Sequence, residues 1–204
     1  MKKLLFVVLG VMLFAPAAFA DNWGLGLKLG AGENDPKTIK DIYNSATVSK
    51  ELDEGNGIFG LEALYEWNLN DINKIGGKIG VDIYGENKAK FTGFGEITED
   101  TYAFPFTVYF KQDYGVKKWS WFAGAGLTIL RTEVEGSVVG IYTGSETKTK
   151  VFPHIVAGAE YRFSELFALG LEARYNISAK LKKDGAVYSD RSGFGAALTG
   201  RFYF

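Results

Sequence analysis

The sequence has no cysteine, a single histidine, four prolines and, beyond its first twenty residues, no long apolar run. Without cysteine there can be no disulfide scaffold, thiolate zinc site, cysteine nucleophile or cysteine-borne lipid anchor. One histidine cannot build an imidazole-based zinc site. The 23 basic and 24 acidic side chains leave a formal charge of -1. Such a balance offers no basic field to gather phosphates and argues against nucleic acid as a partner. What the chain has in excess is glycine, 26 of 204 residues, together with 15% aromatic residues. So much glycine disfavours helix bundles, and so many aromatics disfavour disorder. Twisted β structure with close backbone approaches is the remaining class, on a length that fits one domain or two small ones.

The first twenty residues read as an address. Lys2 and Lys3 precede the apolar stretch Leu4 to Phe14, and Ala18-Phe19-Ala20 supplies the small residues a signal peptidase needs. The apolar stretch is shorter than the roughly 20 residues that span a bilayer, so cleavage before Asp21 is expected rather than a retained helical anchor. Residues 21–204 would then form one exported domain.

Beyond that point, period-two alternation recurs in eight stretches: Trp23 to Gly30, Phe59 to Trp67, Ile75 to Ile83, Tyr102 to Phe110, Trp119 to Leu130, Val151 to Arg162, Phe167 to Asn176 and Phe194 to Phe204. Alternation of this kind predicts strands. Their length, about 9 to 12 residues, is what a tilted strand needs to cross a hydrocarbon core. The connections alternate too. Residues 32–55, 86–99, 133–148 and 178–191 are long and polar, whereas 68–73, 112–117 and 163–166 are short. An up-and-down antiparallel meander places all long loops at one end and the tight turns, with both termini, at the other.

Which parity faces outward decides the class. One parity is apolar throughout and carries no charge; it includes Trp23, Leu27, Trp67, Phe106, Phe110, Trp119, Trp121, Tyr161, Phe167, Leu171 and Phe202. The other carries Lys28, Glu62, Glu66, Lys78, Asp82, Lys111, Glu160, Arg162, Glu172, Arg174 and Arg201, interleaved with glycines. An eight-stranded barrel encloses room only for its own side chains. The large aromatics do not fit inside, while glycines beside long charged side chains do, so the apolar parity must face lipid. Six bases and five acids in a narrow lumen must pair, because lone buried charges are costly. A turn centred near Asn70 is expected to set Glu62 opposite Lys78. Trp23, Trp67, Phe110, Trp119, Tyr161 and Phe167 fall near the short-turn ends, where an interfacial girdle belongs.

With its leader, the stretch Trp119-Ser120-Trp121-Phe122-Ala123-Gly124-Ala125-Gly126-Leu127, the strand end Ala157-Gly158-Ala159-Glu160-Tyr161 and the terminal Gly200-Arg201-Phe202-Tyr203-Phe204, the sequence resembles the small outer-membrane β-barrel superfamily of the OmpA transmembrane domain, OmpX and opacity-type proteins. The resemblance implies an all-β, eight-stranded antiparallel transmembrane barrel in the outer membrane of a Gram-negative-type bacterium. It also implies recognition of Phe202 and Phe204 by the barrel-assembly machinery, and contact with membrane lipid and lipopolysaccharide. The four long loops would be exposed, available to a host or surface ligand.

Little catalytic chemistry is legible. His154 lies on the inward parity; in the lipid A deacylase barrel a serine follows such a histidine by two residues, and here that position is Val156. A nucleophile within reach of its base is therefore missing, and His154 reads as a hydrogen-bonded lumen residue. No catalytic residue, metal site or cofactor site is expected. A non-enzymatic structural or adhesive barrel with a plugged lumen is the main reading; a narrow ion or small-solute channel and a lipid-modifying enzyme are its rivals.

Overall fold

The structure, a computed structural model, describes residues 23–33, 35–45, 49–114, 118–139, 142–183 and 186–204; the leader assigned to residues 1–20 lies outside them. Eight long strands form a closed ring: β1 (Trp23–Gly32), β3 (Gly57–Asn68), β4 (Asn73–Tyr84), β6 (Gly95–Tyr114), β7 (Trp119–Val138), β8 (Tyr142–Arg162), β9 (Phe167–Asn176) and β12 (Gly193–Tyr203). Each pairs antiparallel with its neighbours, and β12 returns to β1 with Leu27 opposite Gly200. Closure gives each of the eight strands a paired neighbour on both sides along its lower, membrane-level part, the condition for β structure in lipid. The eight expected strands thus form the eight staves. Pro105, which has no N–H, interrupts one seam: β4 and β6 pair up to Ile79 opposite Phe106 and resume at Asp82 opposite Ala103.

The short turns are built by side chains. Asn70 Oδ1 accepts bonds from the backbone N–H of Ile72 (3.1 Å) and Asn73 (2.8 Å), and Ser164 Oγ accepts from Phe167 N–H at 3.1 Å. Phe204 N–H donates to Trp23 O at 2.9 Å, which ties the two ends of the described chain together at the same rim.

The apolar parity faces outward: Leu29, Leu171 and Leu198 are each more than 60% exposed, while Lys28, Glu62 and Arg201 are buried. This inside-out arrangement is stable only with hydrocarbon outside. Among the described residues no helix is long and apolar enough to cross a membrane.

Two features differ from expectation. First, β6, β7 and β8 run 20, 20 and 21 residues, about twice the alternating stretches. The upper half of β7 reverses the pattern. On β7 the outward positions change from Trp121, Ala123, Ala125 and Leu127 to Arg131, Glu133 and Glu135, while Leu130, Val134 and Val138 turn inward and are buried. A strand that leaves lipid for water must exchange its faces in this way. Second, the first long loop holds a helix, α1 (Lys37–Ser45), flanked by the short strands β2 (Lys50–Asp53) and β5 (Asn87–Phe91) on the β6 side, while the last holds the hairpin β10 (Lys180–Lys183) and β11 (Ala186–Asp190). Ile39, Ile42 and Tyr43 of α1 pack with Phe91, Ile97, Val134, Phe152 and Leu181 into a water-soluble core above the barrel. We call this upper unit the hood.

Candidate functional site

The inward side chains of the ring form one continuous network of charge. At the short-turn end Lys74 lies 3.2 Å from Asp113 and 3.5 Å from Glu66. Lys111 binds Glu66 at 3.0 Å and also pairs with Glu160, while Tyr109 and Tyr203 donate their hydroxyls to Glu66 and Glu160, each at 3.0 Å. At mid-barrel the guanidinium of Arg201 joins three strands, with Nε 2.6 Å from Glu62, Nη1 2.9 Å from Glu160 and Nη2 3.3 Å from Glu172. Lys78 pairs with Glu172 and sits 3.6 Å from Glu62. Nearer the loops, Asp82 is held between Lys28 Nζ at 2.8 Å and Arg174 Nη1 at 2.7 Å.

Six cations therefore meet six carboxylates, and the named network is formally neutral. That matters more than any one bond. In a low-dielectric lumen an unpaired charge is very costly, whereas a fully partnered set rigidifies the structure. Glycines make the room: a Cβ on Gly60 would run into Asp82 and Lys28. Outside the ring, Trp119, Tyr161, Phe163, Phe167 and Phe202 contact in series, with centroids 4.9, 4.9, 6.1 and 5.0 Å apart. Trp23, Tyr65 and Trp67 make a second series at 5.0 and 4.6 Å, and Phe110 stacks with Trp121 at 5.7 Å.

The structure corrects the sequence-derived site in three places. Glu62 faces Gly80 across β3 and β4, not Lys78, which faces Leu64; the ion pair forms along the diagonal. Arg162 takes no part in the ion-pair network among the described residues; it is half-buried and lies over the Tyr203 ring at 4.4 Å. Lys74 and Asp113 were missed because they were placed in or beside tight turns, although each continues the inward parity of Lys78 and Lys111 by one or two steps. His154 sits between Thr128 Oγ1 at Nδ1 and Thr107 Oγ1 at Nε2, both at 2.9 Å. Both ring nitrogens are thereby occupied by hydroxyls, as befits a buried histidine with a structural role.

Above the lumen the hood has its own buried pair. Arg191 Nη2 lies 3.2 Å from Glu99 Oε1 and 3.1 Å from Thr101 Oγ1; Asn87 and Ser189 also donate to Glu99, at 3.0 and 3.3 Å. Neither charge has any exposure. Burial, opposed by the guanidinium, holds the Glu99 carboxyl above its ordinary value of 4.5, and burial likewise lowers Arg191. This pair fastens the end of β11 to β6. Two small voids lie among the lumen side chains, one between Lys28, Thr107, His154, Glu172 and Arg174 and one between Lys28, Glu172, Arg174 and Ala197, of about 10 and 20 Å³, space for a water or so each. Among the described residues no three His, Asp or Glu side chains converge on a metal position.

Residues 5–202 match the family described as outer membrane protein beta-barrel domain. The chain belongs to that family. Outer-membrane β-barrels of known structure share its fold: the attachment invasion locus protein Ail of Yersinia pestis superposes with a TM-score of 0.55 at 14% identity, covering 89% of this chain and 95% of Ail. Neisserial surface protein A superposes with a TM-score of 0.51 at 13% identity, covering 89% and 97%. No curated protein matches this outer-membrane barrel significantly in sequence. For such a barrel, the outward apolar belt is the lipid contact and the strand extensions are its aqueous part.

Proposed function

We propose that the protein is a non-enzymatic, structural and adhesive outer-membrane barrel: a closed post that carries its hood and loops on the cell surface. The observation that carries this reading is the sealed lumen. A neutral ion-pair network crosses the bore, the Arg191–Glu99 pair holds the hood over its mouth, and two voids among the lumen side chains take little more than a water each, which supports a closed post over a solute path. With transport set aside, the elaborated part of the molecule is the hood. A passive barrel gains nothing from 20-residue strands, whereas a surface meant to be reached from outside does. Ail, which shares the fold, is named for attachment and invasion; attachment is the role to test for the surface formed by residues 32–55, 86–99, 133–148 and 178–191. Lipopolysaccharide around the belt, the barrel-assembly machinery acting on Phe202 and Phe204, and export by the leader at residues 1–20 complete the proposal.

The test has two arms. In planar bilayers the protein should give no discrete conductance steps; regular steps would return the narrow-channel reading to first place. Cells expressing it should bind host-surface ligands or one another more than cells expressing a variant with the hood loops shortened. A change in lipid A mass on expression would instead support the lipid-modifying enzyme.

A further inference from the structure

One inward cation stands outside the lumen network. Each of the six network cations has a carboxylate, and their charges cancel. Arg162, at the short-turn end of β8, has none: among the described residues its half-buried guanidinium meets no carboxylate and no hydrogen-bond acceptor, only the Tyr203 ring at 4.4 Å. Stacking on the face of a ring holds a guanidinium in place and spends none of its five N–H donors. The Tyr203 hydroxyl is already committed to Glu160 and Lys111.

A second cation stands directly opposite. The β7–β8 ladder ends at Trp119 opposite Tyr161, and one step beyond it Arg162 N–H donates to Lys118 O at 2.7 Å. Ser120 and Glu160, two residues back on the two strands, face inward and are buried, so the alternation carries Lys118 and Arg162 to the mouth of the bore, where Lys118 is exposed. Like charges placed directly opposite on a ladder are destabilising. The neighbouring chain does not relieve them: residues 115–117 are Gly115, Val116 and Lys117, and Glu165 in the exposed turn after β8 forms no ion pair among the described residues.

An anion is the missing partner, and the height of the pair says which. Trp119 and Tyr161, with ring centroids 4.9 Å apart, belong to the outward girdle at the edge of the hydrocarbon, and Lys118 and Arg162 are the next residues toward water. At that level a membrane offers phosphate, in its phospholipid headgroups. The oxygens of one phosphate can accept two parallel N–H bonds from the planar guanidinium and a third from the ammonium. We infer that Lys118 and Arg162 form a phosphate-binding site at the short-turn mouth of the barrel, filled by an anionic phospholipid headgroup reaching over the rim or by free phosphate. The site does not depend on which way the hood points, and it is separate from the contact of the apolar belt with lipid tails.

Purified protein folded in a maltoside detergent, which carries no phosphate, tests the site. The temperature at which the compact gel form converts to the boiled form should rise when chloride is exchanged for millimolar inorganic phosphate at equal ionic strength, because a ligand that binds only the folded state stabilises it. Arg162→Gln and Lys118→Gln should each lose that rise, whereas Lys90→Gln, which removes an exposed lysine of the hood, should keep it. In chloride Lys118→Gln should convert no lower than the natural protein, since it removes a like-charge contact; a clear drop there would make Lys118 a structural residue and overturn the site. Native mass spectrometry with equal amounts of phosphatidylglycerol and phosphatidylcholine separates the two sources. Preferential retention of phosphatidylglycerol by the natural protein, lost in both variants, identifies the headgroup; a phosphate-dependent rise without that retention identifies free phosphate. Variants are compared only if unboiled samples keep the shifted gel mobility of the folded barrel. If the folded natural protein responds to neither probe, or Arg162→Gln responds as the natural protein does, the proposal is overturned.

Discussion

Arg201 is the side chain on which the lumen converges, since it touches carboxylates from β3, β8 and β9 at once. Removing it leaves Glu62, Glu160 and Glu172 with Lys28, Lys78 and Lys111 but no bridge among them. Arg201→Met is expected to destabilise the barrel by about 3–5 kcal/mol, the range for breaking a buried pair from one side; urea unfolding in lipid vesicles measures it. The opposite face gives the matching case. Leu171 is 63% exposed at mid-strand, so Leu171→Arg puts a charge into hydrocarbon at an expected cost of about 2–4 kcal/mol in the same assay. The neighbouring Gly170, though it faces the lumen, is not a tolerant site: a Cβ there meets Thr199 Oγ1, the Ala159 carbonyl and Glu160 Cβ within about 3 Å. Gly170→Ala should cost about 1–3 kcal/mol through overpacking, independent of the surrounding lipid. At this scale the sequence was informative about face and weak about space. Parity marked Gly170 as inward, but the size of the gap depends on Thr199 and Glu160 arriving from two other strands.

Among the elements, the hood is the least regular part and the one with a pH response. Glu99 lies in the aqueous extension of β6, and its carboxyl is held above 4.5 in the folded hood. An acid whose folded value is raised penalises folding while ionised. The penalty is full above the folded value and is relieved as pH falls through it toward 4.5. Arg191 stays charged across that window, and the other groups facing Glu99 (Asn87, Thr101 and Ser189) do not titrate. Amide exchange at Ser189 and Arg191, corrected for intrinsic rates, is therefore expected to slow as the pH is lowered from neutral toward 4.5. Glu99→Gln should flatten that dependence; faster exchange at pH 5 in the natural protein would show the sign to be wrong. The eight staves were legible because period-two alternation against lipid is unbroken for nine or more residues. The hood was not, because β7, for one, continues the same alternation into it with the faces exchanged. Beyond Ile129 the polar outward residues Arg131, Glu133 and Glu135 look like loop composition unless Leu130, Val134 and Val138 are read as a core. Helix α1 offered only Ile39, Ile42 and Tyr43 at helical spacing, too brief a signal within a polar stretch.

At the scale of the whole molecule, closure is the property that makes the parts interdependent. β12 pairs with β9 along ten residues and with β1 along nine, and it contributes Arg201 to the lumen and Phe202 to the aromatic girdle. Every other stave depends on that seam, because a barrel opened at one strand exposes two edges whose N–H and C=O groups have no partner in hydrocarbon. Unfolding should accordingly be all-or-none for the ring. Unboiled protein in detergent should keep a compact form that migrates differently from the boiled chain on a gel. Two variants separate closure from the charge network: Leu198→Pro, which removes a ladder donor in mid-β12, and Arg201→Met, which leaves the ladder intact. The first is expected to abolish the compact gel form outright. The second should retain it, with conversion to the boiled form at a lower temperature. Equal loss of the compact form in both would show that the ion-pair network, rather than the closed ladder, holds the ring together.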